Sequence, residues 1–396
     1  MTPTPLFPAT ARDTVTALSA SRIREVANAG LGLPDVLPFW FGESDEVTPA
    51  FIREAAIASL QRGETFYSHN LGLPELRSAI GRYTHQLHPQ VSAEAWSARV
   101  AVTAGGVNGL MLASQLIVNP GDDVVVVTPA WPNLVAQPHI MGAAVRTFDL
   151  QPDAAGLWQL DVPRLLASIT PATRMLILNA PNNPTGWTLS RPEQQALLDH
   201  CRRTGTWILA DEVYERLYFA GSSAPSFLDL ASPEDRVIVA HSFSKSFLMT
   251  GWRLGWLVLP PALLDAAGKL LEFNTSCSPV FTQRAAVLAL ERGDEVTPRL
   301  VDHLRQCRDT LVPLLQAVPG VHVATPLGGM YAFFRLEGHT DCLDTAKRLV
   351  REAGIGLAPG SAFGPGGAGW LRWCFASRDT ARLEEGVARL RRWLQL

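Results

Sequence analysis

This chain of 396 residues has only three lysines, Lys245, Lys269 and Lys347, although lysine and arginine together number 34. A neutral lysine amine adds to an aldehyde to form a Schiff base, and burial or a nearby cation lowers its pKa toward use at neutral pH. Lys245 has the setting for that chemistry. It sits in His241-Ser242-Phe243-Ser244-Lys245-Ser246-Phe247, at the end of an apolar run, and Arg253 follows eight residues later in Thr250-Gly251-Trp252-Arg253-Leu254-Gly255-Trp256. Ser242 and Ser244 offer hydroxyls, and Arg253 offers a planar fork of donors suited to a phosphate. A lysine in an arbitrary loop is normally just solvated. Lys269 and Lys347, in helix-like stretches beside Asp, Glu or Arg, read that way.

Other residue clusters also stand where an apolar run ends. Asp211, with Tyr214 three residues on, closes the run Thr206–Ala210; alone, such a carboxylate reads as a helix cap. Asn183 lies in Asn182-Asn183-Pro184-Thr185-Gly186, a turn by composition, 28 residues before Asp211. Gly105, Gly106 and Val107 join a run to a helix pattern, where paired glycines let backbone N–H groups approach an anion; a plain tight turn is the alternative. Trp131 follows Asp123–Thr128, and tryptophan is usually core. Tyr67 precedes Gly72 and Leu76-Arg77 and reads equally as a surface residue ahead of a helix. Arg372 interrupts the apolar run Trp370–Phe375, and a buried arginine needs a partner. No Walker A sequence or convincing G-x-G-x-x-G is present, which disfavours a nucleotide site.

These clusters must be positioned by an alternating fold. Short β-rich runs at Arg99–Thr103, Asp123–Thr128, Ala144–Leu150, Arg174–Asn179, Thr206–Asp211, Arg236–Ser242 and Gly255–Leu259 alternate with helical patterns such as Arg191–Gly205. Continuous apolar runs of strand length fit strands covered on both faces, so the pattern predicts a mostly parallel sheet of seven strands between two layers of helices. Ligands in such sheets bind at the carboxyl ends of the strands, where the clusters fall. Beyond about residue 290, long helices at Val296–Val318, Asp341–Ala353 and Asp379–Leu394 flank strand candidates at Val321–Ala324, Gly329–Leu336, Gly356–Ala358 and Trp370–Phe375, a smaller α+β unit. The expected division is 1–48 as an N-terminal arm and part of the small unit, 49–290 as the large domain and 291–396 as the small domain.

Taken in chain order, these strings resemble the class I and II aminotransferases, the pyridoxal 5'-phosphate (PLP) enzymes of fold type I. The resemblance rests on Tyr67 with Gly72 and Leu76-Arg77, the NPTG string at 183–186, Asp211 with Tyr214, and SFSK followed by GWRLGW, and it spans residues 20 to 395. It implies a three-layer αβα large domain with PLP as cofactor, bound through a Schiff base to Lys245, which also transfers protons. It further implies that Asp211 pairs with the pyridine nitrogen, that Tyr214 and Asn183 meet the phenolic oxygen, and that Trp131 stacks on the ring. Gly105, Gly106, Val107, Ser242, Ser244 and Arg253 would cup the phosphate, and Tyr67 would reach the phosphate of a partner subunit in a homodimer. Arg372 would hold the substrate α-carboxylate with Asn183 and Gly42, although Ser44 replaces the usual proline of G-E-P-D. The implied reaction moves an amino group between an L-amino acid and a 2-oxo acid by a ping-pong route, within amino-acid metabolism. A PLP lyase breaking a β C–S bond would carry the same cofactor residues and is the alternative.

Composition sets outer limits. A net charge of −3 and 47% hydrophobic content favour an ordinary soluble protein, not a nucleic-acid or membrane partner. Five scattered cysteines without a CxxC pair predict neither a disulfide framework nor a zinc site. The start MTPTPLFPATARD has no signal-peptide pattern, and the expected location is cytoplasmic. The forty-odd residues before Gly42 are too few for the extra DNA-binding domain of a PLP-dependent regulator. No second arginine is clearly placed for a dicarboxylic substrate, and Trp40, Phe41 and Tyr331 hint at an apolar lining.

Overall fold

The structure is a computed structural model describing residues 10–153 and 155–395. The first nine residues, read above as part of an arm, lie outside the described residues.

The seven strands of the large sheet are β1 Val100–Thr103, β2 Asp123–Thr128, β3 Ala144–Asp149, β4 Thr173–Asn179, β5 Trp207–Asp211, β6 Val237–Ser242 and β7 Gly255–Val258. They lie in the order β1-β7-β6-β5-β4-β2-β3. All neighbours pair in parallel except β7, which runs antiparallel to both β1 and β6. The central strands are buried on both faces, as the unbroken Val-rich runs demand. Local chemistry sets the crossover helices. Helix Arg191–Thr204 starts with a capping box between Ser190 and Glu193 and stops at Gly205, whose left-handed φ of 75° favours glycine.

The register brings the chemical residues together. Asn179 at the end of β4 pairs with Asp211 at the end of β5. Because β7 is reversed, its first residue, Gly255, lies opposite Thr103 of β1 and Ser242 of β6. The loop carrying Arg253 therefore reaches the same edge as the Gly105-Gly106 turn and the Lys245 segment. A side chain at Gly255 would run into the His241 carbonyl and the Gly106 amide, so glycine is required at this crossing.

A second sheet, Val321–Val323, Tyr331–Leu336, Trp370–Cys374 and Ala358–Pro359 in that spatial order, is antiparallel throughout. The expected single strand at Gly356–Ala358 is instead divided. Ile355–Gly356 pairs in parallel with Leu37–Pro38, and Ala358–Pro359 pairs with Leu371–Arg372. The strand divides because its first half pairs with the Leu37–Pro38 segment, and the indole of Trp40 from that segment packs over Gly356, where any side chain would collide with it. The segment at 37–42 is sewn on further by Phe39 N to Gly356 O (2.8 Å) and Cys374 N to Phe39 O (3.1 Å). Among the described residues, no helix is long and apolar enough to cross a membrane.

Candidate active site

A cavity of about 520 Å³ opens at the carboxyl edge of the large sheet, against the 37–42 segment. Gly42, Gly106, Val107, Trp131, Asn183, Asp211, Tyr214, Ser242, Ser244, Lys245 and Arg253 all contribute to its wall. Three candidates from the sequence do not. Gly105 lies directly beneath the Arg253 guanidinium, Arg372 stands behind the wall with no exposed surface, and Tyr67 is 89% exposed elsewhere.

Lys245 sits in a short helical turn that follows β6, capped by the Ser242 hydroxyl. Its Nζ donates to the Gly42 carbonyl at 2.5 Å and lies 5.8 Å from the centre of the Tyr214 ring. Burial, with the Arg372 and Arg253 charges adding to it, brings the amine down to about 8. The other two lysines are spent on surface ion pairs, Lys269 with Asp265 and Lys347 with Glu25.

Asp211 is buried, and among the described residues its carboxylate accepts only a long hydrogen bond, from Val213 N at 3.4 Å. Burial pushes it up to about 7. Its backbone carbonyl accepts from Asn179 Nδ2 (3.0 Å), and the Asn179 amide oxygen holds Asn183 N (2.8 Å). Asn182 donates to Pro129 O at 3.1 Å, which ties the NPTG loop to the Trp131 loop. At the opposite end, Ser242 and Ser244 share a hydroxyl contact of 2.9 Å next to the N-terminus of helix Gly106–Ile117. Gly105, at a φ of 94°, leaves room for Arg253, because a Cβ there would strike the guanidinium.

Arg372 is fully buried in its strand. Nη1 donates to Asn183 Oδ1 at 2.9 Å and Nη2 to the Trp40 carbonyl, while Nε has no partner among the described residues. Tyr331 lies 4.5 Å and Phe363 4.9 Å from its guanidinium, measured to the ring centres. The Tyr331 hydroxyl meets that of Tyr214 at 2.6 Å. Sequence reasoning treated Tyr331 only as apolar lining. Its hydroxyl lies at the junction of both sheets, a contact across 117 residues that no local pattern signals.

Arg24 was missed altogether, and it corrects the expectation that no second arginine is near. It belongs to helix Arg22–Ala29, lines the cavity, and makes no side-chain hydrogen bond or ion pair among the described residues; its guanidinium carbon is 5.9 Å from the Phe41 ring. Glu43 and Thr250, bonded to each other at 3.2 Å, also reach the wall.

The cavity thus offers a lysine of lowered pKa, a buried carboxylate in no ion pair among the described residues, and an anion cradle of hydroxyls, an arginine and a helix N-terminus. That donor set fits a phosphorylated pyridine aldehyde: the cradle suits its phosphate, Asp211 a protonated ring nitrogen, and Lys245 the aldehyde carbon. The family model for aminotransferase class I and II matches residues 35–390, and the chain belongs to this family. Aspartate aminotransferase from Pyrococcus horikoshii is 31% identical over 96% of each chain, and aromatic-amino-acid aminotransferase 2 from Thermococcus litoralis is 29% identical over 97% of this chain and 98% of that one. The crystal structure of aspartate aminotransferase from Thermotoga maritima superposes with a TM-score of 0.89 at 29% identity, covering 98% of this chain and 100% of that one. The protein is accordingly a PLP-dependent aminotransferase, an enzyme of fold type I.

Proposed function

We propose that Lys245 is the attachment and proton-transfer residue of a ping-pong transamination, and that dicarboxylic L-amino acids are among its donors. The observation that carries this reading is the amine of Lys245, brought down to about 8, facing the same cavity as the buried Asp211. Bound there, PLP supplies a ring that withdraws electrons from the substrate Cα. Lys245 Nζ, neutral at mildly alkaline pH, would take the Cα proton and deliver it on the far side of the amino nitrogen, two bonds away. Asp211 keeps a positive charge on the ring nitrogen. Tyr214 and Asn183 would donate to the phenolic oxygen, Trp131 would stack on the ring, and the Gly105–Val107 turn with Ser242, Ser244 and Arg253 would hold the phosphate. Arg372, steered by Asn183 and the Trp40 carbonyl, offers its remaining N–H groups to the α-carboxylate beside Gly42. This goes with a functional division of the chain into an arm at 1–48, a cofactor-binding unit at 49–290 and a covering unit at 291–396. All five cysteines are free, which supports a reducing, cytoplasmic setting.

Arg24 supports the donor class. It is a cation on the cavity wall without an anion of its own, and a side-chain carboxylate is its natural partner. The test is to add single L-amino acids, without any oxo acid, to the PLP-loaded enzyme. One equivalent of 2-oxo acid per site should appear as the visible band bleaches. Continuous release of ammonia and pyruvate would mark β-elimination instead and overturn the reading. Arg24→Gln should raise KM for aspartate or glutamate by about tenfold while aromatic donors shift less than about twofold. Equal effects on both classes would remove Arg24 from specificity.

Tyr67 supports a shared site in a homodimer. Phe66 and Phe273 are also more than four-fifths exposed, and their segments are linked by Ser68 N to Cys277 Sγ at 3.4 Å, so aromatic surface is concentrated there. Mixing Lys245→Ala and Tyr67→Ala chains in equal amounts should restore about a quarter of parental activity, because half of the dimers are mixed and one of the two sites in each keeps both residues. Activity that merely averages the two parents would mean that Tyr67 serves no second copy.

A further inference from the structure

The segment Asp211–Glu215 has two faces. Asp211, Val213 and Tyr214 line the cavity, whereas Glu212 and Glu215 turn away into the core. The Glu212 carboxylate accepts from Ser226 Oγ (2.5 Å) and Phe227 N (3.0 Å). Glu215 Oε1 lies 2.9 Å from Nε2 of His88, and His88 Nδ1 lies 2.7 Å from Asp229 Oδ1. Asp229 Oδ2 in turn accepts from Arg191 at 2.8 Å. His88 is 1% exposed and Glu215 4%. The His88 carbonyl accepts from the Trp96 indole at 3.1 Å, which anchors the residue from behind.

Two carboxylates, one within 3 Å of each ring nitrogen, favour the imidazolium; the Nδ1 contact to Asp229 is a hydrogen bond, whereas the close approach of Nε2 to Glu215 is an ionic contact without hydrogen-bond alignment. Burial opposes that charge, but Asp229 and Glu215 outweigh it and push His88 up to about 10. Both carboxylates are held below their usual range in return. Two other titratable groups face the cluster and stay neutral near pH 7. His241, 3.9 Å from Glu215, is brought down to about 4 by burial, and Glu212 is pushed up to about 8 by burial and by Glu215.

We propose that His88 is a positioning residue for the cofactor face. Clamped between Asp229 and Glu215, it fixes the turn after β5 and so the aim of Asp211 and Tyr214. The inference rests on the roles given above to those two residues. Without the ring Asp229 would keep Arg191, but Glu215, fully buried, would lose the cation at its Oε1, and the turn would have to move to solvate it.

The test uses the PLP-loaded enzyme and His88→Gln, read by PLP dissociation, by the pH midpoint of the lysine-bound cofactor's visible band, and by thermal unfolding. A hydroxyl donating to the phenolic oxygen lowers the proton affinity of the neighbouring lysine nitrogen, so a misaimed Tyr214 raises that midpoint. His88→Gln should weaken PLP binding by about tenfold and raise the midpoint. In a Tyr214→Phe background His88→Gln should add little to the midpoint, because the contact it aims is already gone. A lower unfolding temperature with unchanged affinity and midpoint would show a merely structural role and overturn the proposal. An unchanged midpoint in Tyr214→Phe itself would instead overturn the role given to Tyr214. Should His88→Gln fail to fold, Asp229→Asn removes one charge and keeps an acceptor, and the same shifts in smaller measure are expected; their absence counts equally against the proposal.

Discussion

Replacing Lys245 by alanine should lower the transamination rate by about 10²- to 10⁴-fold, the range that a positioned proton-transfer group supplies. The expectation comes from position and composition together. The other two lysines sit in surface ion pairs, so no substitute amine reaches the cavity. A variant with activity within about tenfold of the parent would contradict the assignment, since that range leaves no room for a general base. In the parent, the rate of Cα proton removal should rise with pH, reach half its maximum near 8, where the buried amine is half neutral, and level off above that. An unburied lysine would reach half its maximum more than two pH units higher, near its ordinary value of 10.5. Stopped-flow measurement with a Cα-deuterated donor separates this step from product release.

The second large effect belongs to Asp211, and it has opposite signs for stability and for catalysis. Its folded pKa is raised from 3.8 to about 7 by burial, so the folded chain binds a proton that the unfolded chain releases. Stability is therefore lost as pH rises from about 4 to 7, and above that the penalty has a ceiling of about 4 kcal/mol. Asp211→Asn, stripped of cofactor, should consequently unfold at a higher temperature than the parent at pH 8 and show little difference at pH 4. Loaded with PLP, the same variant should be slower by about 10²- to 10³-fold, having lost the charge that holds the ring nitrogen protonated. Calorimetry at the two pH values, together with kcat, checks both. A variant destabilised at pH 8 would mean that the carboxylate has a partner in the folded chain.

The sequence carried the large sheet legibly because its strands are buried on both faces. Runs such as Asp123–Thr128 and Thr173–Asn179 have no polar face to confuse with a helix, and their limits shift by a residue at most. Helix Arg191–Thr204 was marked at both ends, by Ser190 with Glu193 and by Gly205. Most cavity-lining candidates were legible because they follow a strand, and the sheet itself brings strand ends together; Arg253 reaches the same edge by preceding the reversed β7. What local pattern could not carry was contact between distant segments. The split at residue 357 comes with pairing to Leu37–Pro38, more than 300 positions away. Arg24 precedes the sheet on a helix whose exposed residues look like any solvated face. The His88 cluster joins the end of one helix to the loops after β5 and before β6, where a single histidine reads as ordinary core.

The segment at 37–42 presents carbonyl oxygens, not side chains, to the two central cations: Trp40 O to Arg372 and Gly42 O to Lys245. Every residue but its own identity supplies a carbonyl, so at these two points the requirement falls on spacing along the backbone. Adding or removing one residue between Leu37 and Gly42 would slide the oxygens out of register with both cations at once, even if each side chain were kept. In this stretch, spacing is a requirement of its own, added to the fit of the Trp40 indole over Gly356 and to the room that Gly42 leaves for the Tyr331 hydroxyl.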